Sequence, residues 1–362
     1  MKKLSLFTSI LLVNSAITFA SADTLKEAIS TGTTSGDVSI YHENTNMDTG
    51  ADSGFTSAGV SLSHTTKSFN GFSAKIGFVA ASDIDEKNDN DSSALADNSI
   101  LSEANITYST DSFSITAGRQ AIDLEWMGDY HEGIVASTTI IPNTTLVVGY
   151  TDKTAVAGVD EISSEFSDVN GTKGAYVIDA KYSGLDNIEL NPYYYTASDV
   201  ADFYGLKATY TSDLFNLTSQ YAASNEDVST KKDGSIIHVD LGTEISGISL
   251  NAGYIKTDKD GAIGSMDSFG DNINPFDDGT NVYGTDAKTF YGSASYTISD
   301  ATLSLLYGTT DYSTNKDTDE LNVSLDYSFT EDLSGNVLYV DYDDSTTSNN
   351  YDKIYASLTY SF

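Results

Sequence analysis

Residues 118–133, GRQAIDLEWMGDYHEG, hold the chain's single arginine (Arg119), its single tryptophan (Trp126) and one of its four histidines (His131). Asp123, Glu125, Asp129 and Glu132 lie in the same stretch. Carboxylates that converge at a narrow point between low-dielectric walls focus the field and concentrate cations. A guanidinium among them grips a carboxylate through two donors. Catalysis asks for more, namely a nucleophile within reach of a base. His42, His64, His131 and His238 stand in no serine motif of the G-x-S-x-G kind, and with no cysteine in the chain thiol catalysis and Cys-based zinc sites are excluded. The segment therefore reads as an electrostatic filter, and the chain as no enzyme. No cofactor is required; calcium is the one ion for which carboxylates are dense enough, in residues 83–91 (DIDEKNDND) and 271–279 (DNINPFDDG). Neither run has the central glycine and distal glutamate of an EF-hand, so both read first as solvated acidic loops.

What could position such a filter follows from compartment and composition. Lys2 and Lys3 form a basic start, residues 4–19 are largely apolar, and Ala20-Ser21-Ala22 is a small-residue cleavage site, the pattern of a secretory signal peptide over 1–22. One domain, residues 23–362, is then expected to follow. It contains no run of about 20 apolar residues, so any crossing of a membrane has to be made by strands. Loss of Lys2 and Lys3 moves the formal net charge from −35 to −37, which argues against a nucleic-acid partner. The 24 tyrosines and 15 phenylalanines argue against disorder, and three prolines among abundant Thr, Ser, Val and Ile suit a chain made mostly of strands.

Alternation makes the case for strands. In residues 353–362, Ile354, Ala356, Leu358, Tyr360 and Phe362 share one parity, and Lys353, Tyr355, Ser357, Thr359 and Ser361 the other. The same period of two runs through 321–329 and 235–245. About eighteen such segments of roughly ten residues can be marked, from 36–44 to 352–362. Tight connections (110–111, 184–187, 212–213, 246–247, 299–300, 330–332) alternate with connections that are mostly longer and polar (83–101, 154–172, 223–234, 258–287). Short turns at one end and long loops at the other predict an all-β, transmembrane antiparallel barrel of about eighteen strands, with short periplasmic turns and long extracellular loops. Sixteen strands is the alternative, because Pro192 falls inside one segment and would start that strand late or force a bulge. Tyr108, Phe113, Tyr182, Tyr210, Phe215, Tyr296, Tyr327 and Phe329, near segment ends, suit aromatic girdles at the membrane interfaces.

A barrel of this size keeps a water-filled channel. The polar parity would line it with Glu103, Asp179, Lys181, Lys207, His238, Asp240, Glu244, Asp326 and Lys353 among many Ser, Thr and Asn. Phe113, Ile115 and Ala117 point outward, and the same rhythm would carry Arg119 outward too. A bulge at Gly118 could instead turn it in to face the acids, or it could sit at a subunit interface; a structural or orienting role is favoured. Trp126 reads as an anchor packing its loop against the wall.

Three stretches carry a family resemblance: residues 23–43 (DTLKEAISTGTTSGDVSIYHE), AGRQ-x₅-W over 117–126, and the terminal SLTYSF. In these the chain resembles the epsilonproteobacterial, Campylobacter-type major outer membrane porins, relatives of the OprD-like channels. The resemblance implies an eighteen-stranded barrel assembled as a homotrimer, with the loop after the fifth strand folded inward, so that Asp123, Glu125, Asp129 and Glu132, with Arg119, lie at or near a constriction. The expectation is a general-diffusion porin of the Gram-negative outer membrane, set in outer-membrane lipid and lipopolysaccharide, passing small hydrophilic solutes and preferring cations. A substrate-selective OprD-like channel and a non-conducting adhesin or structural barrel are the alternatives.

Overall fold

The computed structural model describes residues 21–279, 281–313 and 316–362, so most of the expected signal peptide lies outside the described residues. A six-residue helix, α1 (Leu25–Ser30), comes first; Thr24 caps it by accepting from Glu27 N, and Ala28 is its buried contact. The strands are β1 (Thr33–Met47), β2 (Ser53–Thr65), β3 (Phe72–Glu86), β4 (Ser99–Ser109), β5 (Phe113–Ala121), β6 (Tyr130–Thr138) and β7 (Thr144–Ala155). A two-residue strand, β8 (Ser167–Asp168), belongs to a loop. There follow β9 (Ala175–Leu185), β10 (Ile188–Ala197), β11 (Ala201–Thr211), β12 (Asn216–Glu226), β13 (Gly234–Ile245) and β14 (Ile248–Thr257). The set ends with β15 (Lys288–Ile298), β16 (Ala301–Tyr312), β17 (Lys316–Ser328), β18 (Leu333–Asp344) and β19 (Tyr351–Ser361).

Leaving β8 aside, eighteen strands each run antiparallel to both neighbours, and β1 pairs with β19 from Asp37↔Ser361 to Met47↔Tyr351. No sheet edge is left, which is the condition for strands to cross lipid. Pro192 does not reduce the count. It lies within β10 opposite Leu206, and the register shift falls upstream of it, between Ile188 and Leu190 against β9. The strand tolerates the missing N–H by placing the irregularity beside it.

Alternation sets the two faces. Ile237, Val239 and Leu241 of β13 are exposed, whereas His238 between them is buried. Ile354, Leu358 and Tyr360 of β19 are exposed in the same way. Apolar side chains outside and polar ones inside is the reverse of a soluble sandwich, and is what a lipid surround requires. The twelve residues of β13 span about 40 Å at roughly 3.3 Å each. Tilted by about 40°, they cover an apolar band of about 25 Å with a turn to spare. Ring pairs mark the short-turn rim, Phe72 with Tyr108 at 4.9 Å and Tyr327 with Phe329 at 4.8 Å between centroids. Ser246 and Gly247 join β13 to β14 with both φ positive (56° and 80°), as a two-residue hairpin turn needs.

The core lies inside the barrel. Residues 122–129, 156–174 and 258–287 connect strands at the end opposite the short turns, and their apolar side chains pack onto the inner wall. Trp126, Met127, Ile263, Met266, Phe269, Ile273, Phe276 and Val282 form one cluster with the wall residues Tyr193, Tyr195, Phe203, Ile236 and Ile255. Ala157, Ile162 and Phe166 form a second with Val79, Ala81 and Ile100.

Candidate pore constriction

The approach to the first inward loop is set by Gly118. Its φ is +117°, and a Cβ there would lie 2.2 Å from the Ala104 carbonyl oxygen, so only glycine fits. Residues 122–129 then form a compact hairpin: Ile122 N–H donates to Asp129 O at 2.9 Å, and Leu124 N–H to Met127 O at 2.8 Å. At its tip Trp126 is fully buried, with Nε1–H donating to Tyr193 Oη at 3.1 Å and its backbone N–H directed at Tyr195 Oη at 3.4 Å. Tyr193 and Tyr195 belong to β10, three barrel strands from the loop's own β6 with β8 set aside. Trp126 thus anchors the loop to the inner wall at β10. Beside it, Lys207 Nζ of β11 lies 3.0 Å from Glu125 Oε2, and the Glu125 side chain is only 5% exposed.

Residues 156–174 cover the opposite side of the lumen. Ser57 Oγ of β2 donates to Val159 O at 2.5 Å, and Ile162 pairs with Leu95 of the loop after β3. The Arg119 guanidinium lies 4.3 Å from the centroid of Phe166 in this loop. Its Nε donates to Glu132 Oε2 at 3.0 Å, and its Nη1 to Leu101 O at 3.1 Å. Arg119 is therefore a clamp joining β4, β6 and the loop. Neither a contact with acids across the eyelet nor a place between subunits is needed to account for it.

The third loop meets the first: Gly128 N–H donates to Phe269 O at 2.9 Å, and Asn272 Nδ2 to Leu124 O at 3.0 Å. Its far tip reaches β17 and β19. There Asp278 accepts from Tyr351 Oη at 3.1 Å and Tyr355 Oη at 3.0 Å, and pairs with Lys353 Nζ at 3.1 Å.

The five residues expected at a constriction are thus brought to one region but divided in role. Glu125 and Glu132 are held in ion pairs with Lys207 and Arg119, while Asp123 and Asp129 are exposed. Asp129 faces water inside a concave wall; the enclosing protein and then the charge of Glu161, with Asp160 behind it, raise its carboxyl. Among the lining residues, Glu103 pairs with Lys75 at 2.6 Å, Asp179 accepts from Asn191, and Asp326 from Asn336. His238 bonds Tyr291, which donates to Asp240 at 2.6 Å. Lys181 and Glu244 are exposed. Of the first acidic run, residues 83–86 are strand, the end of β3, and only 87–91 lie in a loop. Carboxylates of the two acidic runs serve as internal acceptors: Asp91 from Asn88 and Gly54 N–H groups, and Asp271 from Tyr283 Oη.

Sequence reasoning missed Asp160, Glu161 and Asp278 as neighbours of the passage. The signal was present in the spacing of Val156, Val159, Ile162 and Phe166, and of Ile263, Met266, Phe269, Ile273 and Phe276. Long connections carrying so many apolar groups must cover something, and at the mouth of a barrel the available surface is its inner wall.

A closed barrel with lipid-facing apolar strands and a lumen narrowed by three infolded loops defines a transmembrane channel of the bacterial outer membrane. Residues 10–360 match the family model described as Gram-negative porin, and the chain belongs to that family. A comparison with curated proteins returns no sequence match. Among solved structures, the fold is similar to Pseudomonas aeruginosa OccK3 (OpdO), at 13% identity and TM-score 0.77 over 93% of this chain and 97% of that one. Acinetobacter baumannii OccAB4 aligns at 17% identity and TM-score 0.73, over 91% and 97%. Pseudomonas aeruginosa OpdK, solved with vanillate, aligns at 14% and 0.71, over 91% and 98%. The chain is thus a porin with an OprD/Occ-like fold.

Proposed function

We propose that this porin is a general-diffusion channel for small hydrophilic solutes that prefers cations, with residues 119–132 at its constriction. One observation carries the reading: the three infolded loops contain fourteen carboxylates and two lysines (Lys173 and Lys259). Against low-dielectric walls such an excess raises the local cation concentration and repels anions. Transport is passive; the loops set the size limit, and Asp123, Asp129, Asp160 and Glu161 set the charge preference. Export by the signal peptide over 1–22, assembly as a homotrimer among lipopolysaccharide, and kinship with the Campylobacter-type porins complete the proposal. Calcium on residues 83–91 or 271–279 would be an accessory.

A substrate-selective channel is the second reading, favoured by the packing of residues 122–129 and 258–287 together against the inner wall of β10 to β14. The test is reversal potential in a planar bilayer under a potassium chloride gradient. Cation selectivity that drops when Asp123, Asp129, Asp160 and Glu161 are neutralised together supports the general porin. Anion selectivity, or no change in those variants, overturns it. Conductance that saturates with one solute class favours the selective channel.

A further inference from the structure

The tip of the third loop sits on Glu320 of β17 in an incomplete way. Glu320 Oε1 accepts from Asp278 N–H at 3.1 Å and Asn322 Nδ2 at 2.8 Å. Oε2 is buried and has no hydrogen-bond partner, in a residue only 3% exposed. Glu320 borders a cavity of about 10 Å³ lined also by Phe276, Gly279, Gly308, Thr310, Thr318 and Tyr342. A buried ionised carboxylate with one oxygen unmet is costly, and the same group costs much less when protonated.

The neighbours raise that cost. The loop brings Asp277 and Asp278 to Glu320, and both act on it by charge. Among the described residues lining the cavity, β16 contributes the neutral groups Gly308 and Thr310, and β18 Tyr342. β19 contributes Tyr351, Tyr355 and Lys353, all engaged with Asp278, and Glu43 of β1 acts on Tyr355. Among the described residues, Asp277 and Asp278 share Lys353. Burial, and then Asp278, push the Asp277 carboxyl up to about 7.

We infer that this seat is a proton-binding site, and that the third loop rests on the wall with a proton held between Glu320 and Asp277, and lifts when the proton is lost. The sign follows from linkage. A carboxyl whose affinity for protons is higher when seated favours seating at acid pH, and that contribution fades as pH rises through its raised value. One coupled proton changes the seated-to-lifted ratio by up to about tenfold per pH unit between the ordinary and the raised value.

The experiment uses the full-length barrel in micelles and follows hydrogen exchange at the Asp278 amide, corrected for intrinsic rate, from about pH 5 to about pH 9. This readout does not depend on conduction, so it can fail while the channel reading stands. Protection should fall by at least about tenfold across neutrality. Glu320→Gln, which supplies a neutral donor to the vacant side, should stay protected throughout, and Asp277→Asn should narrow the pH response. Gel migration before and after heating checks that each variant is a folded barrel. Flat protection in the unmodified protein, or the same pH response in Glu320→Gln and Asp277→Asn as in the unmodified protein, overturns the inference.

Discussion

Trp126 is the chain's only tryptophan and is fully buried at the tip of the first infolded loop, so its emission reports where that loop sits. This makes the Lys207–Glu125 pair open to measurement. At 3.0 Å two unit charges attract by about 5–6 kcal/mol if the effective dielectric constant is about 20. Lys207 is 32% exposed, so water screens part of this, and about 2 kcal/mol is a sounder expectation. Lys207→Met leaves a carboxylate buried without its counter-charge and should cost about 2–3 kcal/mol of loop seating. Glu125→Gln should cost less, because Lys207 can turn to water. The double variant should recover most of the loss, for a coupling energy of about 2 kcal/mol. Mild urea titration followed by Trp126 emission would show loop release before the barrel itself unfolds, at a lower midpoint in Lys207→Met. A coupling energy under about 0.5 kcal/mol, or emission that changes only together with strand unfolding, would refute the view that this pair holds the loop to the wall.

Trp126→Ala should release the same loop, at a cost of about 3–5 kcal/mol for so large a buried ring, and raise single-channel conductance while heat-modifiable migration stays normal. Arg119→Lys keeps the charge but loses the planar fork over Phe166 and between Glu132 and Leu101; protease sensitivity of residues 156–174 should rise with little effect on barrel yield. Val239→Lys puts a charge on the lipid face near the middle of β13 and should lower folding stability in lipid by about 2–4 kcal/mol. Chemical denaturation in vesicles measures it, and no loss would place Val239 away from lipid. The Glu320 seat predicts greater Asp278 amide protection at acid pH than at alkaline pH, reversed by neither salt nor solute.

The strands were legible because their pattern is local. A period of two in residues 353–362 needs no partner to be recognised, and every expected segment corresponds to a strand, with ends displaced by at most a few residues. Strand count was less secure at Pro192, where the accommodating irregularity is a property of the β9–β10 pair and not of either strand alone. The loops resisted for a related reason. That Glu125 would meet Lys207, 82 positions away, or that Asp278 would meet Lys353, 75 away, depends on how each loop crosses the lumen, and no spacing rule encodes it. Charge type was readable and charge pairing was not: of four carboxylates in residues 123–132, two are held by cations and two face water.

The seam between β1 and β19 bears on how the molecule is made. Every other pairing in the barrel joins strands that are neighbours along the chain, and can form as local hairpins soon after both are available. The seam joins Asp37 to Ser361, and cannot form until the rest of the wall has been laid out. The closure entropy of so long a loop grows only as its logarithm, so the delay comes less from chain statistics than from waiting for seventeen other registers to be correct. Until then two raw edges, one on β1 and one on β19, are open to pairing with another chain. Assembly machinery for such a barrel has one job above others, which is to keep those two edges from any partner except each other.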